Sequence, residues 1–294
     1  MEYAQWTAMV ILTLAWNGFG TSIGYHRMLS HRSVKFPKWL EYFFVLGAIM
    51  GFQGSPIWWT AIHRSHHKTS DQELDMHSPE YGFRFYKYGW FLKPTYPDHI
   101  QPKYLCADLL KDPVYRFLEQ NGDWKRAQWL NFFIIATLGR CLLIPFIGWQ
   151  LTLGSLIVSM LYFQMPLLFN QICHMPQFGY RNFKTTDKSV NVWWVAVLWF
   201  GEGWHNNHHA RPGNANMGVR KHEFDISYAV LRLLRACRLA SMSATQESKA
   251  ATILVKPQPE MTVTARPVAV PVSVPVSVPI PVPVAVSAAS KSNS

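Results

Sequence analysis

Charged residues and cysteines are scarce in this sequence. Asp, Glu, Lys and Arg make up 15% of the 294 residues, whereas a soluble domain usually contains about 25%. The four cysteines form no CxxC pair, which excludes a disulfide scaffold and argues against a cysteine zinc site. In their place the chain has 15% aromatic residues, 12 histidines and a formal net charge of +11. This composition is typical of a membrane-bound metalloprotein.

Long stretches without charge predict where the chain crosses a membrane. Residues 3–25 carry no charged side chain, and residues 127–173 carry only Arg140. Because about 20 helical residues span a bilayer core, the first stretch predicts one membrane helix and the second predicts two, with a turn near Gly148 or Gly154. An arginine inside a span costs at least about 2.5 kcal/mol, so we expect Arg140 to snorkel to the interface or the span to be offset.

The histidine motifs must lie on one side of the membrane if they form one site. Residues 42–62 are uncharged and separate two of these motifs, so we interpret them as a packed or interfacial helix, and residues 189–201 are too short to cross. All Lys and Arg residues except Arg140 then fall on the histidine side, which the positive-inside rule assigns to the cytoplasm. Because these residues follow membrane sides and form no basic stripe, a nucleic-acid-binding protein is excluded.

The predicted fold is an all-α, multi-pass integral membrane protein, in the inner or plasma membrane if the source is a bacterium. It has an exported N-terminus and a cytoplasmic helical cap that carries the site. Its three membrane helices are expected at roughly 3–25, 127–148 and 150–172.

Composition changes near residue 243. Residues 267–283 read PVAVPVSVPVSVPIPVP, and proline at this density prevents both helix and central strand. We therefore divide the chain into a functional domain at residues 1–242 and a disordered, low-complexity tail at residues 243–294, which serves as a tether or spacer.

Nine of the histidines fall into four groups. Two groups have the spacing HxxHH and one has HxxxxH, which suits a helix end whose last turn loosens. On a helix, positions i, i+3 and i+4 share a face, so each HxxHH can direct three imidazoles at one place. One metal takes about four to six ligands, so eight or nine histidines predict two metals. The groups are His26/His31, His63/His66/His67, His174 and His205/His208/His209.

These motifs resemble those of the membrane-bound fatty acid desaturases, specifically the delta-9 (stearoyl-type) acyl desaturases. The HxxxxH spacing favours the delta-9 branch, since delta-12 and omega-3 types usually have HxxxH, and His205 argues against a front-end desaturase, which typically has glutamine there. The resemblance covers roughly residues 5–240. It rests on GYHRMLSHRS at 24–33, HRSHHKTSD at 63–71, NQICH at 170–174 with GYR at 179–181, and GEGWHNNHH at 201–209.

The resemblance implies a di-iron centre held by nine histidines, with Asn170 reaching a metal through water. The ligands would be His26, His31, His63, His66, His67, His174, His205, His208 and His209. Glu202, Asp71 and Asp75 are expected to accept hydrogen bonds from imidazole N–H groups.

Other side chains are expected to lie outside the metal-ligand set. His77 follows Asp75-Met, where the family usually has Asp-Pro-His, so it receives no ligand role. His99 and His222 lie outside the motifs and are expected in solvent. An apolar acyl tunnel could be lined by Trp58, Trp59 and Trp204, although aromatics beside a membrane are more often interfacial or packing residues. A phosphorylated headgroup, of CoA or lipid, could meet Arg27, Arg64 and Lys68, which are equally expected as loose surface charge.

The activity implied by the resemblance is insertion of a cis double bond, at delta-9, into a long-chain saturated fatty acyl group, using dioxygen and two electrons. The substrate is an acyl-CoA or an acyl-lipid in the membrane. The sequence contains no His-Pro-Gly-Gly haem-binding segment and no flavin or ferredoxin motif, so an external ferredoxin or b-type cytochrome would supply the electrons. Two alternatives stay open: a hydroxylase, epoxygenase or ketolase of the same histidine-box superfamily, and a metal-binding membrane protein without catalysis.

Overall fold

The computed structural model describes residues 2–76, 78 and 96–242, and this part of the chain is predominantly helical. One short antiparallel ribbon joins β1 (Val34–Lys35) to β2 (Ser241–Met242), pairing Val34 with Met242. The mostly helical class expected from the sequence is therefore confirmed. His77 and the tail at residues 243–294 lie outside the described residues.

Ten α-helices follow one another along the described chain. They are α1 (Glu2–Phe19), α2 (Lys38–Met50), α3 (Pro56–Thr69), α4 (Pro102–Leu105), α5 (Pro113–Glu119), α6 (Trp124–Gln128), α7 (Ile144–Cys173), α8 (Trp193–Leu198), α9 (His205–Ala210) and α10 (Ile226–Ala236). Two π-helical segments extend α1 and α6, at Gly20–Ser30 and Trp129–Leu138, and a 3₁₀ segment, Gly139–Leu143, leads into α7.

The first helix changes character along its length. Near its start, apolar side chains such as Ile11 and Leu12 are exposed, whereas every residue of the π-helical Gly20–Ser30 is buried. Gly20 permits the backbone of α2 to pack directly against it, because a Cβ there would lie 2.3 Å from the Ala48 backbone nitrogen. The main apolar core forms where this segment, α2 and α3 meet.

The single helix expected at residues 42–62 is wrong, because the structure has two helices there. α2 ends at Met50, and α3 begins after Ser55, whose side chain accepts a hydrogen bond from the Trp58 backbone N–H. Between them Phe52 and Gly54 have φ angles of 60° and 77°, a left-handed backbone that no helix contains. The break redirects the chain so that α3 carries its histidines into the core.

Residues Trp124–Cys173 form the one described helical stretch that is both long and apolar enough to cross a membrane. Its path reverses at Gly148, whose φ of 79° and ψ of 163° interrupt the helix, as expected for a turn near that residue. The two arms are antiparallel, since the Phe132 and Phe163 rings lie 6.3 Å apart. Apolar side chains are exposed on both arms, among them Phe133, Leu142, Phe146, Trp149 and Leu161.

Of the two alternatives expected for Arg140, snorkelling is wrong, and an offset of the span stays a prediction. The Arg140 side chain is 2% exposed and turns inward, where Nη2 donates hydrogen bonds to the Met50 carbonyl and to Ser159 Oγ. The reason is local: Met50 is the last residue of α2, and carbonyls at a helix end have no partner inside their own helix. The long arginine side chain reaches this acceptor across the gap between the helices.

Candidate metal centre

Nine histidine side chains meet in the interior, and they are the nine that the sequence analysis singled out. They form two adjacent groups, and within each group the ligand nitrogens all lie within 4.8 Å of one another. The His67 and His209 rings, one from each group, have centroids 4.5 Å apart. The first group is His26, His31, His63, His67 and His208; the second is His66, His174, His205 and His209.

Each HxxHH motif divides its histidines between the two groups, which differs from the expectation that each would aim three imidazoles at one place. On α3, His63 and His67 join the first group and His66 the second; on α9, His208 joins the first while His205 and His209 join the second. Positions i+3 and i+4 differ by about 100° around a helix, so adjacent histidines diverge. Each motif therefore links the two groups.

The HxxxxH spacing is accommodated by a π-helix. On an α-helix, residues five apart point about 140° away from each other. Here the backbone around His26 and His31 is π-helical, with His31 N–H donating to the His26 carbonyl at 3.1 Å, and the two rings lie 4.8 Å apart. The expected loosening of the helix end is thus a π-turn, a form that is frequent at functional sites.

Four of the histidines are held by carboxylates through Nδ1. An Nδ1–H donating to a carboxylate selects the tautomer in which Nε2 carries the free lone pair. This contact therefore turns the ligand atom of each ring towards the centre of its group. The pairs are Glu202 with His26 (2.5 Å), Asp75 with His66 (2.9 Å), Asp71 with His174 (2.9 Å) and Asp187 with His209 (2.9 Å).

Asp187 is a site residue that sequence reasoning missed, whereas Glu202, Asp71 and Asp75 were expected. It lies 18 positions before His205 and belongs to no histidine motif. Its Oδ1 accepts hydrogen bonds from Thr185 Oγ1 and the Ser189 backbone N–H, which leaves Oδ2 for His209. The available signal was this Thr-Thr-Asp-Lys-Ser turn, since an aspartate that bonds its own backbone is rigid enough to orient a ring.

The Nε2 atoms of the first group are spaced as metal ligands would be. Successive Nε2 atoms are separated by 3.0 Å (His26 to His208), 2.9 Å (His208 to His67), 3.1 Å (His67 to His63) and 2.8 Å (His63 to His31). Two nitrogens bound at about 2.1 Å to one ion, at right angles, lie about 3.0 Å apart. Converging lone pairs would repel each other without a cation, so the donor set fits a metal.

The second group repeats this spacing. His205 Nε2 lies 3.1 Å from the Nε2 atoms of both His174 and His209. Since Asp71 and Asp187 hold the Nδ1 atoms of these two rings, their Nε2 atoms both present lone pairs to the same point. This group therefore fits a second ion.

Burial keeps most of these imidazoles neutral. Burial first, and then the neighbouring histidines, hold the pKa of His31, His67, His205 and His208 well below the ordinary value. Burial also lowers the pKa of His209 to about 4, although the Asp187 carboxylate opposes the shift. Only a neutral imidazole offers a lone pair to a metal, so these side chains are in the ligand form at neutral pH.

Two asparagines hold the short helix α9 in place. The Asn206 side-chain oxygen accepts from the backbone N–H groups of Asn182 and Phe183, and Asn207 Nδ2 donates to Glu223 Oε2 at 2.9 Å. Both asparagines are buried. Sequence reasoning did not assign them, but asparagine is a poor helix former, and two in succession between ligand histidines were the signal.

Arg27 does not face a headgroup, so that expectation is wrong. It is 1% exposed, and its Nη1 donates to Glu202 at 2.6 Å while its Nη2 donates to Asp225 at 2.9 Å. Glu202 thus bridges Arg27 and His26. Burial alone would raise the pKa of Glu202, but its contacts with His26 and with the Arg27 guanidinium outweigh burial and hold that pKa below the ordinary value.

The other two residues proposed to contact a headgroup, Arg64 and Lys68, differ in their surroundings. Arg64 donates to both oxygens of Asp108, at 2.8 and 2.9 Å, and to three backbone carbonyls, so it is already engaged within the chain. Lys68 is exposed and keeps its expected place on the surface. His99 and His222 are also exposed, as expected, and His222 lies 3.4 Å from the Tyr180 hydroxyl.

A narrow apolar cavity of about 90 Å³ reaches the histidines. Trp58 and Trp59 line it, as expected, and Asn170 lies on its wall one turn before His174. Trp204 does not line it: its indole N–H donates to the Phe224 carbonyl, which turns the ring away. The remaining walls include Phe163, Pro166, Leu167, Phe169, Val195 and Trp199, and the polar end includes His26, His63 and His205.

Comparison with known proteins agrees with this geometry. The family model for fatty acid desaturases matches residues 4–234. The chain is 37% identical over 242 residues to an sn-1 stearoyl-lipid 9-desaturase of Anabaena variabilis, covering 81% of this chain and 84% of the relative.

Two plant proteins are similar as well. An acyl-CoA C20 Delta5-desaturase of Anemone leveillei is 39% identical over 76% of this chain and 68% of its own. A Delta-9 acyl-lipid desaturase 2 of Arabidopsis thaliana is 36% identical over 81% of this chain and 75% of its own. Nine histidines meet in the interior, three of them line an apolar cavity, and the chain belongs to the fatty acid desaturase family of oxidoreductases.

Proposed function

We propose that this protein is a membrane di-iron desaturase that inserts a cis double bond at the ninth carbon of a long-chain saturated fatty acyl group. The observation that carries the proposal is the meeting of two groups of converging imidazole nitrogens with a narrow apolar cavity lined by Trp58 and Trp59. Two of the relatives described above are named as 9-desaturases, which supports the position of the double bond.

In this proposal two iron ions are bound, one by each histidine group. The first ion would be held by His26, His31, His63, His67 and His208, and the second by His66, His174, His205 and His209, with Asn170 reaching it through water. Imidazole suits iron, and the donor set contains no thiolate that would favour zinc. Bound iron, with dioxygen and two electrons, would supply the oxidising power needed to remove hydrogen from an unactivated methylene.

The protein's own part is to orient the ligands and the chain. Asp71, Asp75, Asp187 and Glu202 fix the tautomer and the angle of four rings through Nδ1, which raises the basicity of the ligand nitrogens. The volume of the cavity, about 90 Å³, holds a few methylene groups, so its aromatic walls would enclose the reacting segment of an acyl chain and exclude water from it.

We further propose three membrane spans, at roughly 3–25, 127–148 and 150–172, with the site on the cytoplasmic side. The exposed apolar side chains along α1 and along both arms of the hairpin support contact with lipid. The acyl substrate would enter from the membrane as an acyl-lipid or from the cytoplasm as acyl-CoA, and a ferredoxin or b-type cytochrome would deliver electrons. We assign this function to residues 1–242 and the role of a tether to residues 243–294.

Fatty-acid profiling of a desaturase-deficient host tests the proposal. Expression of the chain should produce a cis-9 monounsaturated fatty acid, whose double bond is located by mass spectrometry of its dimethyl disulfide adduct. Separating the host's acyl-CoA and glycerolipid fractions after a short pulse of labelled stearate identifies which pool is unsaturated first. The His208→Ala variant, expressed to the same level, is the control.

Three other results would contradict the proposal. A hydroxy, epoxy or keto product would assign the chain to another reaction of the histidine-box superfamily. A double bond at another position would refute the assignment to the ninth carbon. An iron-loaded, well-folded protein that changes no fatty acid, even with a matched electron donor, would be a metal-binding protein without catalysis.

A further inference from the structure

A second cavity lies between α1 and the hairpin that turns at Gly148. Its volume is about 560 Å³, within the range of roughly 300–1,000 Å³ that is usual for small-molecule sites. Its walls are mostly apolar, and they include Met9, Leu12, Leu143 and Phe146. None of the residues that line it belongs to the histidine centre or to the acyl cavity beside that centre.

One charged side chain, Arg140, faces this cavity. Among the described residues that line it there is no Asp or Glu, and Arg140 bonds only to neutral oxygens, those of Met50 and Ser159. Its Nη1 is buried and has no hydrogen-bond partner within the described part of the chain. A buried guanidinium without a counter-ion is costly, so an anion bound at Nη1 would lower the cost of burying Arg140.

Asn17 supplies a second polar group at the same wall. Its Nδ2 lies 2.7 Å from Ser159 Oγ, which also accepts from Arg140, and its Oδ1 is buried without a partner. An amide turned by 180° has the same shape. In that orientation the Ser159 hydroxyl donates to the Asn17 oxygen, and the Asn17 N–H₂ joins Arg140 Nη1 as a donor into the cavity.

The cavity is continuous with apolar surface. Leu12 and Phe146, which line it, are also 68% and 84% exposed on the outside of the molecule. A ligand can therefore place a polar group at Arg140 while its hydrocarbon part leaves along these side chains towards lipid. This combination of a deep cation and an apolar exit fits an anionic amphiphile.

The depth of Arg140 in the membrane favours a fatty acid, which has one chain and a small carboxyl group, over a phospholipid. Arg140 lies eight residues before the Gly148 turn, a helical rise of about 12 Å. In the membrane orientation proposed above, the phosphate of a bilayer lipid stays at the interface and does not reach this depth. A fatty acid has a small carboxyl group that enters in the neutral form and ionises beside the guanidinium.

We propose that this cavity binds the carboxylate of a long-chain fatty acid at Arg140, at a site separate from the one where acyl chains are desaturated. The inference uses the proposed membrane spans but not the metal centre. A fatty acid is the hydrolysis product of the acyl groups on which the family acts. The fraction of enzyme with a fatty acid in this cavity would therefore rise with the concentration of free acid.

Photolabelling of the full chain in neutral phosphatidylcholine nanodiscs tests this proposal. The probe is a palmitate analogue with a diazirine at mid-chain, and the labelled residues are mapped by mass spectrometry. We expect label on peptides that contain Met9, Leu12 or Phe146. Palmitate should compete for this label at least tenfold better than hexadecanol, which has the same chain and no charge. Label near Trp58 or Phe163 belongs to the acyl cavity and is scored separately.

Variants separate the site from general effects on the protein. Arg140→Gln should reduce labelling at least tenfold, whereas the exposed Arg126→Gln on the same arm should not change it. If Arg140→Gln does not fold, Leu151→Trp, which fills the cavity and keeps the arginine, should also abolish labelling. Undiminished labelling in Arg140→Gln or Leu151→Trp, or equal competition by hexadecanol, would overturn the proposal. Competition by phosphatidic acid but not by palmitate would refute the fatty acid as the ligand.

Discussion

Arg27 and Arg140 are both buried, being 1% and 2% exposed, yet their surroundings are opposite. Arg27 lies beside the histidine centre and donates to the two carboxylates of Glu202 and Asp225. Arg140 lies in the helical hairpin and, among the described residues, bonds only to neutral oxygens. One end of the molecule therefore balances its buried charge internally, and the other leaves a cation open to a cavity.

The two arginines therefore serve different purposes: one helps to orient a metal-ligand imidazole, and the other is available to bind a ligand. At the histidine end, a continuous series of contacts runs from Asp225 through Arg27 and Glu202 to His26. The charged groups of this series pair with one another and leave no charge to bind a ligand. Their effect is to hold an imidazole at a fixed angle. At the hairpin end, Arg140 keeps a donor without an acceptor, which is the property of a binding site.

The largest effect is expected from removing histidines of the metal centre, which lies at the same end of the molecule as Arg27. His66→Ala, His174→Ala and His208→Ala should each abolish desaturation, because each removes a lone pair from one of the two converging groups. The active wild type should contain about two irons per chain, one for each group. His99→Ala, at an exposed position, should keep most of the activity.

Metal analysis after full iron reconstitution is the measurement that accompanies the activity assay. One ion per chain would contradict the assignment of two metals. Wild-type product levels from a well-folded His208→Ala preparation would contradict a shared site.

The two arginines show how far sequence reasoning reaches. The spacing of eight histidines predicted that they meet, because periodicity on a helix is a local property that a sequence carries. His174 stands alone in the sequence, and only the family resemblance assigned it to the site. The partners of Arg27 were not predictable, because Asp225 is 198 positions away and only the fold brings it close. Arg140 was expected to snorkel to the interface or to mark an offset span, whereas its side chain bonds to the Met50 carbonyl, which another helix contributes.

Details of the site were lost for the same reason. Asp187 lies outside every motif, and its role appears only when the turn at Thr185–Ser189 is seen to hold it against His209. The break between α2 and α3 was missed because an apolar pattern without charge outweighed the signals of Gly51, Gly54 and Pro56. Closely spaced glycine and proline residues predict a break in a helix even where the hydropathy is uniformly high.

Stability measurements on the two arginines test the comparison directly. Arg27→Met leaves Glu202 and Asp225 buried without a cation, so it should destabilise the protein by about 3–5 kcal/mol. Arg140→Met removes a charge that has no counter-ion, so in lipid free of fatty acid it should be neutral or stabilising. Thermal unfolding of both variants in the same nanodiscs compares them, and an equal loss in both would show that Arg140 is as well compensated as Arg27.

A smaller effect is expected at Asp187. Asp187→Ala frees the His209 ring to rotate, and loss of such an outer partner typically lowers metal affinity or activity by about 10–100-fold. Competition with a metal chelator measures the affinity, and the exposed Asp123→Asn is a matched control. Unchanged affinity in Asp187→Ala would mean that packing alone orients the ring. The isosteric Asp187→Asn should recover part of the loss, since its side-chain oxygen still accepts from Nδ1–H.

The smallest effect is expected at a charge cluster between these extremes. Arg64 and the more exposed Arg32 pair with Asp108, whose side chain is 35% exposed. Burial alone would raise the pKa of Asp108, but the two guanidinium groups outweigh it and hold that pKa well below the ordinary value. The pair therefore stabilises the fold above the unfolded pKa of about 3.9, and this contribution is lost as the pH falls below that value.

Because solvent screens the cluster, its contribution is at most about 1 kcal/mol. Asp108→Asn should therefore lower the unfolding temperature of the metal-free protein slightly at pH 7, and the difference from wild type should shrink as the pH falls below about 4. Thermal unfolding at a series of pH values in one ionic strength measures this, and added salt should reduce the difference at pH 7. A difference that is the same at every pH would mean that the carboxylate acts through packing, and the cluster would then resemble neither the paired Arg27 nor the open Arg140.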